Sequence, residues 1–407
     1  MAFVAALSFH YLCIQFVTPL YMKIFWLVLA LFLCACRGEE LLIPAEYERL
    51  PLEARSLESF SPDEPIGMYI LNEGNMGSNK STIDYVDFVN ATFIRNIYSE
   101  RNPEVIKELG DVGNDIAIYG SKLYAVINCS HKVEVMDART CKRLGQIDIP
   151  NCRFIDFAGG KAYVSSYVGP VSIDPDAQQG AVFEVDTASL KITRQVTVGY
   201  QPEELLATDD YIYVANSGGY RKPNYDNTLS VINRTTMKQV RKLELGLNLQ
   251  CVEQDRQGRL WVSARGDLDN PTGERAPGLY VLTPLSPDLD EVDIDILDYA
   301  CSVMQICGDS LFYIHSSSLP DASNFIFGII DVNTQKQVTD CFVEASSAET
   351  YKMPYGLLVN PYNRQLFVTD AKNYVSSGVL HCYDPAGKEL WQVRTGDIPS
   401  RMVFLYK

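Results

Sequence analysis

One strand pattern recurs seven times along the chain: MYILN, LYAVI, AYVSS, IYVAN, LWVSA, LFYIH and LFVTD, each with an aromatic residue second. The aromatic positions Tyr69, Tyr124, Tyr163, Tyr213, Trp261, Phe312 and Phe367 are 39 to 55 residues apart by subtraction. That interval is the length of one small antiparallel sheet plus its loops, the period of a propeller blade. The stretch Gly110–Ile149 shows one unit whole, as VGNDIAIY, LYAVI, KVEVMD and KRLGQIDI, parted by GSK, NCSH and ARTC. Gly, Asn, Ser and Asp tolerate tight turns, so the four strands run as an antiparallel meander.

A second series keeps the same count. Third strands end at Asp87, Asp137, Asp186, Asn233, Thr283, Asp331 and Asp384, where short polar side chains can bond the following backbone amides. First strands read differently, as in PEELLAT from Pro202, MPYGLLV from Met353 and IPSRMVFLY from Ile398. Nothing follows the last of these, and the N-terminal unit has no first strand of its own. The ends therefore pair, and the sequence predicts an all-β fold: a seven-bladed β-propeller of four-stranded antiparallel blades over residues 66–407, closed by the C-terminal strand. Closure leaves no long free sheet edge. Each repeated aromatic packs between blades, where full burial is worth ~1.5–3 kcal/mol.

The start of the chain has a different logic. Residues 1–35 read as a targeting segment in which Met22-Lys23, with Met22 an alternative start, precedes the apolar run IFWLVLALFL, too short for a stop-transfer helix. Leu33-Cys34-Ala35-Cys36 resembles the lipobox of bacterial lipoproteins, and the resemblance implies lipid attachment at Cys36. Arg37-Gly38-Glu39-Glu40 resembles the acidic surface-export signal of Bacteroidetes lipoproteins. A Pro-, Glu- and Ser-rich stretch then runs to Pro65. Residues 36–65 are expected to be the lipidated cysteine and a linker, spanning on the order of 30 Å as a coil.

Charge and cysteines exclude some partners. The formal net charge is −16, and losing Lys23 with the targeting segment makes it −17. With no basic arm, nucleic acid is not an expected partner. Eight of eleven cysteines follow Cys36, with no CxxC or Cys/His metal spacing and no essential disulfide expected.

The two faces of the ring differ. First-to-second-strand connections are short, whereas second-to-third connections are long: EGNMGSNK, YVGPVSIDPDAQQG, SGGYRKPNYDN, RGDLDNPTGERAPG, SSSLPDASNF and AKNYVSSG. Long loops on a rigid scaffold are where binding concentrates. They carry Tyr167, Tyr220, Arg221, Tyr225, Arg265, Arg275, Phe325 and Tyr374, while Asn114, Tyr299, Tyr351 and Tyr355 enter between blades. Aromatics with amides and guanidinium groups suit a large ligand having flat apolar and hydrogen-bonding surface. The expected ligand contacts are Asn114, Tyr167, Tyr220, Tyr225, Arg265, Tyr299, Phe325, Tyr355 and Tyr374.

Catalytic motifs are missing: there is no GxSxG, no P-loop and no HExxH. In Asp174-Pro175-Asp176 with Gly180, and Asp267-Leu268-Asp269 with Gly273, the glycine falls seventh rather than sixth, which favours acidic turns over calcium loops. Tyr383–Trp391 resembles one docking unit of quinoprotein propellers, but three Trp in all cannot repeat it around a ring. No catalytic residue, protein-bound metal or cofactor is expected.

NEGNMGSNKSTIDYVD, GDVGNDIAIYGSKLYAVIN, KAYVSSY, PYGLLVNPYNRQLFVTDAKNYVSSGVL and TGDIPSRMVFL together resemble the YncE-like propellers of Bacteroidetes surface lipoproteins. Within that group the chain is similar to cobalamin-binding lipoproteins that partner TonB-dependent outer-membrane transporters. The resemblance implies a lipid-anchored, surface-exposed outer-membrane protein that captures cobalamin and hands it over, without catalysis. Glycans and siderophores suit the same kind of mouth. The rival classes are a passive scaffold in an envelope complex and a lactonase-like hydrolase, in which Asn72, Glu73, Asn128, Asn216 and Asp370 would supply oxygen ligands to a divalent metal.

Overall fold

A computed structural model describes residues 45–105, 109–286, 290–315 and 325–407. Its strands form seven antiparallel sheets, the blades of a propeller. Every predicted second strand is present, from Gly67–Asn72 in the first blade to Leu366–Asp370 in the seventh. The inner strands of the second to seventh blades are Gly113–Tyr119, Cys152–Ala158, Pro202–Ala207, Leu249–Gln254, Val303–Cys307 and Pro354–Val359. The first blade takes its inner strand from the other end of the chain. Pro399–Leu405 runs antiparallel to Gly67–Asn72, with Leu405 opposite Gly67 and Pro399 opposite Asn72. The ring closes as the sequence predicts.

Apolar packing explains why the blades stay together. The buried side chains fall into clusters between neighbouring blades: Tyr124 and Val135 of the second meet Ile155 and Val164 of the third, and Phe367 and Trp391 of the seventh meet Met68 and Phe404 of the first. Tyr69, Tyr124, Tyr163, Trp261 and Phe367 are 1 % exposed or less, the packing role expected of the repeated aromatics. Third-strand ends close their turns as expected. Asp137 accepts from the amides of Arg139 and Thr140, Asp186 from Ser189 and Asp331 from Thr334.

Inner strands have no further strand on the channel side, so their amides need other partners. Side chains of the preceding blade supply them. Asp115 accepts from the Ile155 amide at 3.0 Å, Asp156 from Ala207 at 2.7 Å, Glu204 from Val252 at 3.2 Å, and Gln305 from Val359 at 2.7 Å. Polar groups in the channel thus stitch blade to blade.

The stretch before Pro65 departs from the expected linker. Glu46–Arg49 pairs antiparallel with Thr92–Arg95, adding a fifth strand outside the first blade. Beyond it Leu50 and Phe60 are buried, Arg55 lies 4.0 Å over the Phe60 ring, and Lys407 Nζ donates to the Phe60 carbonyl at 2.8 Å. Backbone pairing fixes EYER while all four side chains remain exposed, so no apolar alternation marked it as a strand. The targeting segment and Cys36 lie outside the described residues.

Candidate functional site

Six of the seven inner strands depart from regular pairing where they begin. Register shifts fall between Gly113 and Asp115, opposite Cys152–Ile155, between Pro202 and Leu205, between Leu249 and Val252, between Pro354 and Leu357, and opposite Pro399–Arg401. A bulge turns a side chain off its alternating face. Residues just before these strands carry strain as well: Val112 has φ 59° and Ile398 φ 57°. β-branched residues in the left-handed region are outliers, costing on the order of 1–3 kcal/mol, and such strain collects at functional sites.

Residues from five of these six strand starts meet at the mouth of the central channel, on the long-loop face. They line a cavity of about 310 Å³ to which Asn114, Arg153, Phe154, Gln250, Tyr355, Ser400 and Arg401 contribute from the strand starts, with Glu73, Met76, Tyr220 and Arg265 from loops. Gly356 lets this wall pack tightly, since a Cβ there would lie 2.4 Å from the Ser400 carbonyl oxygen.

Polar groups are arranged in layers. Tyr355 donates to Glu73 Oε1 at 3.0 Å, and Tyr374 meets the Tyr355 ring edge-on at 5.6 Å. Arg153 donates through Nε and Nη2 to Glu203 Oε2 at 3.1 and 2.8 Å, and its guanidinium lies 4.8 Å over Tyr167, whose hydroxyl also donates to Glu203. Arg401 pairs with Glu204 and lies 4.9 Å over Phe154. Burial pushes Glu73 up to about 7 against the pull of the Tyr355 hydroxyl, Arg153 and Arg401. Deeper in the channel, burial raises Asp115 to about 6. Glu253 rises to about 8 through burial, with the Glu204 carboxylate adding to the shift. Burial opposes the charge on Arg153 and Arg401, but Glu203 and Glu204 respectively outweigh it and both pKa values rise.

Of the expected contacts, Asn114, Tyr220, Arg265 and Tyr355 share this cavity. Tyr374 flanks it through Tyr355, and Tyr167 lies beneath, 6.3 Å from Tyr220. The other three are placed differently. Tyr225 is buried beside Lys222 and Asp267. Tyr299 accepts from the Gln337 amide on an outermost strand, and Phe325 packs into the cluster between the sixth and seventh blades. Loop membership alone does not say which aromatics turn inward. Glu73, Arg153, Phe154, Gln250 and Arg401 were not among the expected contacts. The Pro at the start of IPSRMVFLY was an available signal for Arg401, and no comparable mark precedes Gln250 or Glu73.

The side chains of the hydrolase alternative are mostly tied into the blades, although Glu73 and Asn128 line the mouth and the buried Asn72 Oδ1 has no hydrogen-bond partner. Asn72 donates to Thr82 and Asp84, Asn128 to the Cys152 carbonyl and Asn216 to Thr228 and Ser230. Asp370 accepts from the Met353 and Lys372 amides. Among the described residues, no three His, Cys, Asp or Glu side chains are grouped to hold a metal ion.

Residues 66–397 match the family described as a domain of unknown function, DUF5074. The chain belongs to that family. Comparison with curated protein sequences gives no match. Among solved structures, a hypothetical selenium-binding protein from Sulfolobus tokodaii is similar at TM-score 0.62 and 10% identity, over 88% of this chain and 97% of that one. A Kuenenia stuttgartiensis hydrazine synthase chain is similar at TM-score 0.55 and 16% identity, over 71% and 88% respectively. A quinonprotein alcohol dehydrogenase-like protein from Bacteroides thetaiotaomicron gives 0.54 and 14%, over 84% and 78%. At such identities the likeness of this DUF5074 chain is one of fold. Propellers with these varied names share a scaffold, and function is set by the residues at the mouth.

Proposed function

We propose that this DUF5074 chain is a ligand-capture protein that works at the channel mouth. In this reading Cys36 carries a lipid that holds it at the outer-membrane surface, and the ligand passes to a TonB-dependent transporter. The observation that supports capture is the convergence of bulged residues from separate blades on one cavity, whose wall combines Tyr220, Tyr355 and Phe154 with guanidinium and amide groups. Aromatic faces beside a few placed polar groups are the usual make-up of a small-molecule site.

Cobalamin is the first ligand to assay, because the motif resemblance points to it. A volume of about 310 Å³ is at the lower end of the ~300–1,000 Å³ range of ligand pockets. A ligand as broad as a corrin would therefore lie across the mouth, on Tyr220, Tyr374 and Met76, with one substituent inside. These three side chains are 37%, 38% and 59% exposed, available to be covered.

The test is retention of the red chromophore through gel filtration by the mature chain from Arg37 onward. Joint replacement of Tyr220 and Tyr374 by Ala should weaken retention at least tenfold, since each covered ring is worth ~1.5–3 kcal/mol. If cobalamin, glycans and siderophores all fail to bind at micromolar protein, ligand capture at this face is refuted.

A further inference from the structure

The mouth has more hydrogen-bond donors than its own acceptors use. Arg265 projects from the fifth blade's long loop, is exposed, and pairs with no carboxylate among the described residues. Arg153 bonds Glu203 through Nε and Nη2, leaving Nη1. Arg401 bonds Glu204 through Nη2, leaving Nε and Nη1. Five N–H donors in a fixed fork make a guanidinium suited to two-point recognition of carboxylate or phosphate.

A second observation points into the same space. Gln250 is 6% exposed, lines the cavity, and has a buried Oε1 with no hydrogen-bond partner. Whichever way round the amide is placed, it leaves a polar atom for a ligand to satisfy. The cavity volume equals that of a sphere of about 4 Å radius, so a compact group inside lies near every wall.

We propose that the mouth is an oxyanion site, in which a carboxylate or phosphate of the ligand sits among Arg265, Arg401 and Arg153 while a neighbouring hydroxyl or amide of the ligand bonds Gln250. This rests on the reading of the mouth as a ligand site. Charge at the wall agrees: Glu203 and Glu204 stand behind two of the guanidinium groups, and Glu73 is the one carboxylate among the described residues that line the cavity. A carboxylate group at Glu73 competes with a bound anion, so the site should strengthen as Glu73 gains a proton. Burial acts most strongly on Glu73, and the groups facing it include Tyr355, Tyr374, Arg153, Arg401 and Ser400.

Calorimetric titration of the mature chain with inorganic phosphate, with glucuronate and with uncharged glucose tests the site. One anion or both should bind while glucose does not, phosphate alone marking a phosphate-bearing ligand and glucuronate alone a carboxylate. Arg265→Gln should weaken binding roughly tenfold or more, Arg265→Lys less, and Arg221→Gln on the same face should leave it unchanged. Affinity for glucuronate, whose carboxylate stays ionised throughout, should rise as pH falls from about 8 to about 6, and Glu73→Gln should flatten that rise, because burial pushes Glu73 up to about 7. Equal binding of glucose, an Arg265→Gln variant that binds as wild type, or no anion binding at ~10 mM each overturn the inference. If cobalamin is still retained in those cases, ligand capture survives without the oxyanion site; if it is lost as well, both fall.

Discussion

Replacing Glu203 by Leu isolates the group that ties the wall of the mouth to the fold. The carboxylate is 4% exposed and accepts from Arg153 twice, from Tyr167, and from Ser217 at 3.2 Å. Removing it leaves a guanidinium without its partner, a loss that typically costs about 3–5 kcal/mol. Ser217 keeps its bond to the Gln201 carbonyl, but the Tyr167 hydroxyl is stranded. The Arg153 side chain retains 15% of its surface toward the channel, so water recovers part of the loss and the lower half of the range applies. Over the 342 residues from 66 to 407, an unfolding entropy of about 2 cal/mol/K per residue converts about 3–4 kcal/mol into a fall in Tm of about 4–6 °C. Adding Arg153→Met removes the orphaned charge, so the double variant should regain more than half of that fall. Differential scanning calorimetry of the wild type, both single variants and the double variant completes the cycle. A double variant no more stable than Glu203→Leu, or a single variant within 1 °C of wild type, refutes a charge-pairing role for Glu203.

Deleting Pro399–Lys407 removes the buried Met402, Phe404 and Leu405, worth about 1.5–3 kcal/mol each, from a fold whose total stability is about 5–15 kcal/mol; loss of a cooperative melt with self-association by light scattering is expected, and an unchanged melt refutes closure by this strand. Glu253→Gln should stabilise progressively as pH rises. The wild-type group stays protonated in the fold up to about 8 but ionises near 4.5 when unfolded, so the stability it holds at low pH is lost through that window and the variant's is not. Melting curves from pH 5 to 8.5 should show the gap widening by up to a few kcal/mol, and a constant gap contradicts the buried environment. Cys36→Ala should move the protein from the membrane to the soluble fraction, and added protease should degrade the wild type on intact cells; protection from protease would place it inside the envelope.

The ring was legible in the sequence because its signals are redundant. Seven aromatics such as Trp261 recur for packing, and turn residues such as Asp137 and Asp331 bond the amides two and three positions on. Each position reports the same architecture independently. The outer strand Glu46–Arg49 gave no such signal, since its side chains are exposed and only backbone bonds place it. Loop residues were half legible: Tyr220 and Tyr225 lie in one loop, yet one faces the cavity and the other is buried beside Lys222.

The mouth was least legible, and the bulges explain why. An alternating strand assigns Gln250 and Cys251, or Ser400 and Arg401, to opposite faces, so a reading by period two discards one of each pair. With the register shifted at the strand start, Ser400 and Arg401 both reach the cavity, as do Arg153 and Phe154. The sixth blade is the control within the molecule. Its inner strand Val303–Cys307 pairs regularly with Ser310–His315, and it contributes only Ser302 and Val303 to the wall. The regular strand start gives the wall no charge, whereas the bulged starts of the third and first blades give it Arg153 and Arg401 and those of the fifth and seventh give it Gln250 and Tyr355. Local departure from ideal pairing, with left-handed Val112 and Ile398 beside it, is thus how one repeated scaffold builds a distinctive mouth. The same stiffness that made the repeats readable holds these departures in place.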